Sequence, residues 1–239
     1  MPAIQLQSAP PVGLMKSRAR SLLAIVACVG KGGSGKSTVA TNLAVMARLE
    51  GFQAAIIDAD PQASSFAWKC VRAKGDVPVV RCNVDALAGA IEAARRAGIE
   101  ILFVDMPPDW RNVPNIACLA DLVLVMMRPT LFDLRVTRML LPILKSTNSG
   151  FAVILNAAPP LRELGESPMV RQAREALADI GKRLWGGQIT NRVTVPYSTL
   201  RGAAVVETEP DGLAAREFRM LWNAVRHDLK LKGTVHEVA

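Results

Sequence analysis

The chain has 239 residues, half of them hydrophobic, with 29 Lys and Arg against 21 Asp and Glu for a formal charge of +8. Such a composition excludes a disordered chain, which could not bury enough apolar surface to offset its ordering entropy. No apolar run approaches the ~18 to 20 residues of a bilayer span, and four cysteines without a C-x-x-C pair beside only two histidines argue against structural zinc.

Residues 1–20 carry Pro2, Pro10, Pro11, Lys16, Arg18 and Arg20 without periodicity and without the apolar core of a signal peptide, and read as a flexible basic arm. Apolar strand-like runs then alternate with helical patterns. Strands are predicted at Leu22–Val29, Ala54–Asp58, Val77–Arg81, Glu100–Asp105, Leu122–Met126, Phe151–Leu155 and Gln188–Arg192, and Cys28 in the first of them reads as a small buried hydrophobe. Helices are predicted at Lys36–Glu50, Ser64–Lys74, Asp85–Ala97, Phe132–Lys145, Pro168–Lys182 and Leu213–Lys232; Thr130-x-x-Asp133 forms a capping box for the fourth. Residues 233–239 read as a polar tail. The alternation predicts an α/β fold, a doubly wound and mostly parallel sheet flanked by helices. Continuous apolar runs imply strands buried on both faces. One domain over 21–232 accommodates all of this, and in such sheets ligands bind beyond the carboxyl ends of the strands.

The chemistry is expected there. Gly30-Lys31-Gly32-Gly33-Ser34-Gly35-Lys36-Ser37-Thr38 satisfies G-x-x-x-x-G-K-[ST], a phosphate-binding loop between strand and helix. Glycines let the backbone wrap an anion with unshielded N–H groups. Lys36 reaches the β/γ-phosphates, Ser37 ligates Mg²⁺, and the following helix adds its positive end. The same residues match the dinucleotide fingerprint at Gly30, Gly32 and Gly35, with Asp58 as its ribose-binding acid. A dinucleotide, however, is held without metal and has no need of the Lys-Ser pair, so a nucleoside triphosphate is the expected ligand.

Asp58-Ala59-Asp60-Pro61-Gln62 ends the second strand with two carboxylates, one to orient an attacking water and the other to assist the metal or fix a lysine. Ile101-Leu102-Phe103-Val104-Asp105 is an apolar strand ending in a metal-binding Asp, and Met106-Pro107-Pro108-Asp109 follows where a phosphate-sensing switch would lie.

Together these residues resemble the ParA/MinD group of deviant Walker ATPases, closest to the small partition proteins. The group's signature K-G-G-x-G-K-[ST] reads KGGSGKST at Lys31 to Thr38; D-x-D-P-Q recurs at Asp58 to Gln62 and D-x-P-P at Asp105 to Pro108. Ala120 to Arg135 resembles the A-D-x-V-L-x-P-x-x-P-S-x-x-D-L segment, with Met126-Met127 in place of the first proline. The resemblance spans roughly residues 22–228. It implies an ATP-sandwich homodimer in which Lys31 crosses to the partner's phosphates. Gly32, Gly33, Ser34, Gly35 and Lys36 would cradle phosphate in cis, with Thr38 on the α-phosphate. Ser37 and Asp105 would serve Mg²⁺, Asp60 would position the water with Asp58 in support, and Asn156 would contact the base.

Among the activities of that group, the sequence favours DNA partition. The last helix has core-type spacing and the tail lacks a bulky face for a membrane surface, whereas Arg171, Arg174, Lys182, Arg183, Arg201, Arg216, Arg219 and Arg226 suit a polyanion. The expectation is an ATPase of cytoplasmic, nucleoid-associated location. Its partners would be itself, nonspecific DNA and a ParB-like or cargo-adaptor activator, with no stable membrane association. A MinD-like membrane-surface ATPase and a metabolic ligase or synthetase on the same loop are the alternatives.

Overall fold

A computed structural model describes residues 23–147, 149–161 and 165–231; the expected basic arm and polar tail lie outside them. The chain runs β1 (Ala24–Gly30), α1 (Lys36–Leu49), β2 (Ala54–Asp58), α2 (Ser64–Val71), β3 (Val79–Arg81), α3 (Leu87–Arg96), β4 (Ile101–Asp105), α4 (Val113–Leu119), β5 (Leu122–Met127) and α5 (Leu131–Lys145). It continues through β6 (Gly150–Leu155), α6 (Pro168–Ala176), α7 (Thr194–Leu200), α8 (Val205–Thr208) and α9 (Leu213–Asp228). Six strands pair in the order β3-β2-β4-β1-β5-β6, every pair parallel.

The apolar runs have the predicted cause. In β1, Ile25, Ala27 and Val29 face one core with residues of α3, α4, α5 and α6, while Val26 and Cys28 face a second core with α1, α2, α8 and α9. Both faces of the sheet are thus covered, and no strand residue of β1, β2 or β4 is left polar until its carboxyl end. Cys28 is fully buried, as expected, and burial drives its thiol far above the ordinary range. The register sets Asp58 of β2 opposite Asp105 of β4, and Asp105 opposite Cys28 of β1. Two carboxylates therefore stand at one level beside the start of the phosphate loop.

Three expectations are corrected. The segment 188–192 is no seventh strand: its pairing is confined to the bridge of Ala158 with Thr190 and the Ile189 amide on the Leu155 carbonyl at 2.9 Å, and the Thr190 amide, which faces the other way, goes to the Glu217 carboxylate of α9 at 2.8 Å. The helix expected over 168–182 stops at Ala176, and Gly181 at φ 54° interrupts the short turns that follow. The helix expected to reach Lys74 ends at Val71, where Arg72 turns extended. Helices α4, α7 and α8, each seven residues or fewer, had no predicted counterpart.

Arg72 turns because its side chain has buried work elsewhere. At 2 % exposure it donates to Asp76 from Nε (2.7 Å), to Glu207 of α8 from Nη1 (2.8 Å) and to the Gly202 carbonyl. Trp68 adds an Nε1 bond to the Ala203 carbonyl at 3.2 Å, and Asn42 of α1 accepts from the Val205 amide at 2.9 Å. Together these bonds strap α1, α2 and α8 into one wall. Burial opposes the Glu207 charge, but Arg72, Lys74 and the Ala204 amide outweigh it and hold the carboxyl at about 2. A glutamate depressed in the folded state stabilises fully above its unfolded value of about 4.3 and loses that contribution as pH falls toward 2. Glu207→Gln is therefore expected to cost about 3 kcal/mol at neutral pH. The difference from wild type should shrink to less than half by about pH 3, as urea unfolding at the two pH values would measure.

Candidate functional site

The loop from Gly30 to Gly35 folds back tightly over the carboxyl ends of β5 and β6. Gly30 sits at φ +142°, where a Cβ would lie 2.4 Å from the Met126 carbonyl oxygen; Gly35 sits at φ +95°, where a Cβ would lie 2.0 Å from Asn156 Nδ2. Only glycine fits either position. Asn156, buried at the end of β6, donates from Nδ2 to the Ser34 carbonyl at 2.6 Å and so pins the turn from below. The Lys31 carbonyl accepts from the Ser34 amide at 3.1 Å, leaving the loop's concave side open. That side bounds a cavity of about 440 Å³, lined by Gly32, Gly33, Gly35, Lys36, Ser37 and Thr38 from the loop and α1, with Asp60, Gln62, Pro108 and Thr199 opposite. Lys36 is 5 % exposed and lies over the loop, its Nζ 3.5 Å from the Lys31 carbonyl. A curled glycine backbone, a buried ammonium and a helix start form an anion cradle.

The carboxylates divide into separate tasks. Asp58 is buried and accepts from the Asp60 amide at 3.1 Å and the Phe66 amide at 2.9 Å, which fixes the Asp60 loop and caps the first turn of α2. Burial pushes its pKa up, and those amides work against the rise. Asp60 lines the cavity, its Oδ1 held by the Gln62 amide at 2.9 Å. Asp105 accepts the Ser65 hydroxyl at 2.7 Å on Oδ2, while its buried Oδ1 has no hydrogen-bond partner. Burial drives Asp105 up to about 6, against the pull of the Ser37 and Ser65 hydroxyls and Lys36. An orphaned carboxylate oxygen beside a serine hydroxyl suits a hard divalent cation.

Lys31 stands at the rim, 39 % exposed, its Nζ 3.7 Å from Asp133 Oδ1. Asp133 lies in the first turn of α5, itself 1 % exposed, and donates its amide to Thr130 Oγ1, the cap expected of the box. Burial works against its charge, but Arg128 and Lys31 outweigh it and the carboxyl lies below the usual range.

Residues 25–217 match the CobQ/CobB/MinD/ParA nucleotide binding domain family. The chain belongs to that family. With its KGGSGKST loop it is of the ParA/MinD deviant Walker type. Solved structures agree in fold at low identity. A Cyanothece McdA variant in complex with ATP is 16 % identical with TM-score 0.70, covering 90 % of this chain and 100 % of that one. MinD from Pyrococcus horikoshii, complexed with Mg-ADP, is 17 % identical with TM-score 0.66, covering 85 % and 96 %. A ParA family ATPase from Chlorobium tepidum is 15 % identical with TM-score 0.64, covering 85 % and 98 %. No curated protein matches the chain in sequence.

The structure brings Gly32, Gly33, Gly35, Lys36, Ser37, Thr38 and Asp60 around one cavity, sets Asp58 and Asp105 behind it, and leaves Lys31 outside its wall. Ser34 is buried in the loop, held through its carbonyl. Sequence reasoning missed Ser65, Asn42 and Thr199; the hydroxyl at the second position of α2 was the one signal available for Ser65. Four of the eight basic residues singled out for DNA have partners inside the fold. Arg174 binds Glu166 and the carbonyls of Trp185, Gly186 and Gly187; Arg226 pairs with Glu50; Arg183 and Arg219 donate to the carbonyls of Phe151 and Pro210. Arg171, Lys182, Arg201 and Arg216 are exposed.

Asn156 was expected at the base, and here its amide grips the loop. If that grip is its task, Asn156→Ala weakens ATP and GTP binding by the same factor, about tenfold for one lost charge-free buried hydrogen bond and its relaxed loop. Calorimetric titration with both nucleotides checks this, since a base-reading role would change their ratio.

Proposed function

We propose that the chain is a ParA-like partition or positioning ATPase. It binds ATP with Mg²⁺, forms an ATP-dependent sandwich homodimer, binds DNA without sequence preference and leaves it after hydrolysis stimulated by a ParB-like or cargo-adaptor protein. The observation that carries this reading is Lys31. A loop serving one triphosphate needs one lysine, and Lys36 already fills that role within the cavity; Lys31 stands outside it, at the rim, loosely held and free to reach a phosphate presented from across an interface.

Within the cavity each residue has a chemical task. Loop amides and Lys36 neutralise the β/γ-phosphates, and Thr38 offers its hydroxyl or amide to the α-phosphate. Ser37 and Asp105 Oδ1 would hold Mg²⁺, which would supply charge neutralisation on the phosphate oxygens. Asp60, aimed by the Gln62 amide and by Asp58 beneath it, accepts a hydrogen bond from the attacking water and orients it on the γ-phosphorus. The bond from that phosphorus to the bridging oxygen breaks, and ADP and phosphate leave.

Of the exposed cations, Arg171, Lys182, Arg201 and Arg216 are the candidates for DNA. In α9, Phe218, Leu221, Trp222 and Val225 are buried, which supports reading that helix as part of the core and favours DNA over a membrane surface as the partner. No helix among the described residues is long and apolar enough to cross a membrane.

Asp60→Ala is expected to bind ATP and dimerise while hydrolysing about a hundredfold or more slowly, and to accumulate on DNA. Lys31→Ala is expected to keep at least partial ATP binding, to remain monomeric in light scattering, and to lose most DNA affinity, because two joined basic surfaces release more counterions than one. Wild-type protein with ATP and Mg²⁺ should retard duplex DNA at low salt and release it steeply as salt rises. A Lys31→Ala protein that dimerises and shifts DNA like wild type would sink the sandwich reading.

A further inference from the structure

Two cations share the buried carboxylate of Asp133. Arg128, immediately after β5, donates its backbone amide and Nε to Oδ2, each at 3.1 Å, and Nη2 to Oδ1 at 3.3 Å; the Thr130 hydroxyl lies 3.2 Å from Oδ1. Lys31 approaches Oδ1 only to 3.7 Å, beyond hydrogen-bond range. The hydrogen-bonding needs of Asp133 are therefore met without Lys31, which contributes charge alone. A carboxylate at 1 % exposure cannot be stripped of every counter-charge without heavy cost. Were Lys31 its single cation, the lysine would be trapped.

We propose that Arg128 is a positioning residue that makes Lys31 releasable: as the standing counter-ion of Asp133, it lets the lysine depart for an anionic phosphate without leaving a buried charge behind. Its guanidinium also borders the loop, since a Cβ on Gly33 would come 3.8 Å from Nη1. There it raises the positive potential around the ammonium and loosens the lysine's hold further. Arg128 acts through Lys31 and Asp133, and the inference rests on the reading of Lys31 as the phosphate-reaching lysine.

The ligand-free protein tests it directly. Acylation of Lys31 by an N-hydroxysuccinimide acetate, followed peptide by peptide in mass spectrometry, reads how often the ammonium is free, with exposed Lys69 and Lys182 as internal references. Arg128→Gln should slow Lys31 about three- to tenfold relative to the references, because an ammonium held as the single counter-ion of a buried carboxylate is less often free to react. Arg128→Lys, which keeps the charge without the fork, should restore most of the rate. In an Asp133→Asn background Lys31 has nothing to be trapped on, so Arg128→Gln should have no effect there. Unchanged or faster Lys31 acylation in Arg128→Gln overturns the proposal, as does equal slowing of the references or the same slowing in Asp133→Asn. Light scattering with ATP separates this from the function: a wild-type protein that stays monomeric overturns the sandwich reading while the acylation rates still judge Arg128. If wild type dimerises, Arg128→Gln should weaken the dimer and Asp133→Asn should cancel that loss.

Discussion

The site depends on one steric constraint, the close approach of the phosphate loop to the ends of β5 and β6. The main chain at Gly30 presses on the Met126 carbonyl and at Gly35 on the Asn156 amide, at distances no other residue type survives. This packing turns a flexible glycine run into a fixed cradle before any anion arrives. A loop already fixed by its packing needs little reorganisation on binding, and the affinity that would go into ordering it remains available to the ligand. The buried Ser34–Asn156 hydrogen bond is the polar complement of the same contact.

Around that cradle, four aspartates illustrate how environment assigns roles to one side chain. Asp58 is spent on backbone amides and shapes a loop. Asp60, two residues on, lines the cavity with one oxygen held by a single amide. Asp105 is buried with one oxygen unmet, which supports its proposed place beside a cation. Asp133 is buried but saturated, so it organises neighbouring cations rather than binding a metal. Proximity in sequence did not decide any of these; the number of donors facing each oxygen did.

The sheet and the cradle were legible in the sequence because both are local. Apolar strands read directly, and the loop's function is written in nine consecutive residues. Each strand's terminal Asp could be placed beyond a carboxyl end from the run alone. The misreadings share another cause. Residues 188–192 have strand composition, yet their pairing is confined to one bridge with Ala158, and the outer Thr190 amide is met by Glu217, 27 residues on, where a further strand would have bonded. Arg72 leaves its helix for partners 130 residues and more away. Apart from these, the bond from Asn156 to the Ser34 carbonyl could not be read from the sequence, because it exists only once the loop is folded over β6. Half of the basic residues set aside for DNA have hydrogen-bond or ion-pair partners within the chain, which no one-dimensional charge count reveals.

The strap from α2 to α8 carries a consequence for biosynthesis. The cavity's far wall includes Thr199, and α8 joins Arg72, Trp68 and Asn42 through Glu207, Ala203 and Val205. The phosphate loop therefore leaves the ribosome roughly 160 residues before the helix that braces its surroundings. At about 5–20 residues per second, that interval lasts on the order of ten to thirty seconds of translation. During it the nascent chain carries the phosphate loop without the wall that α8 braces.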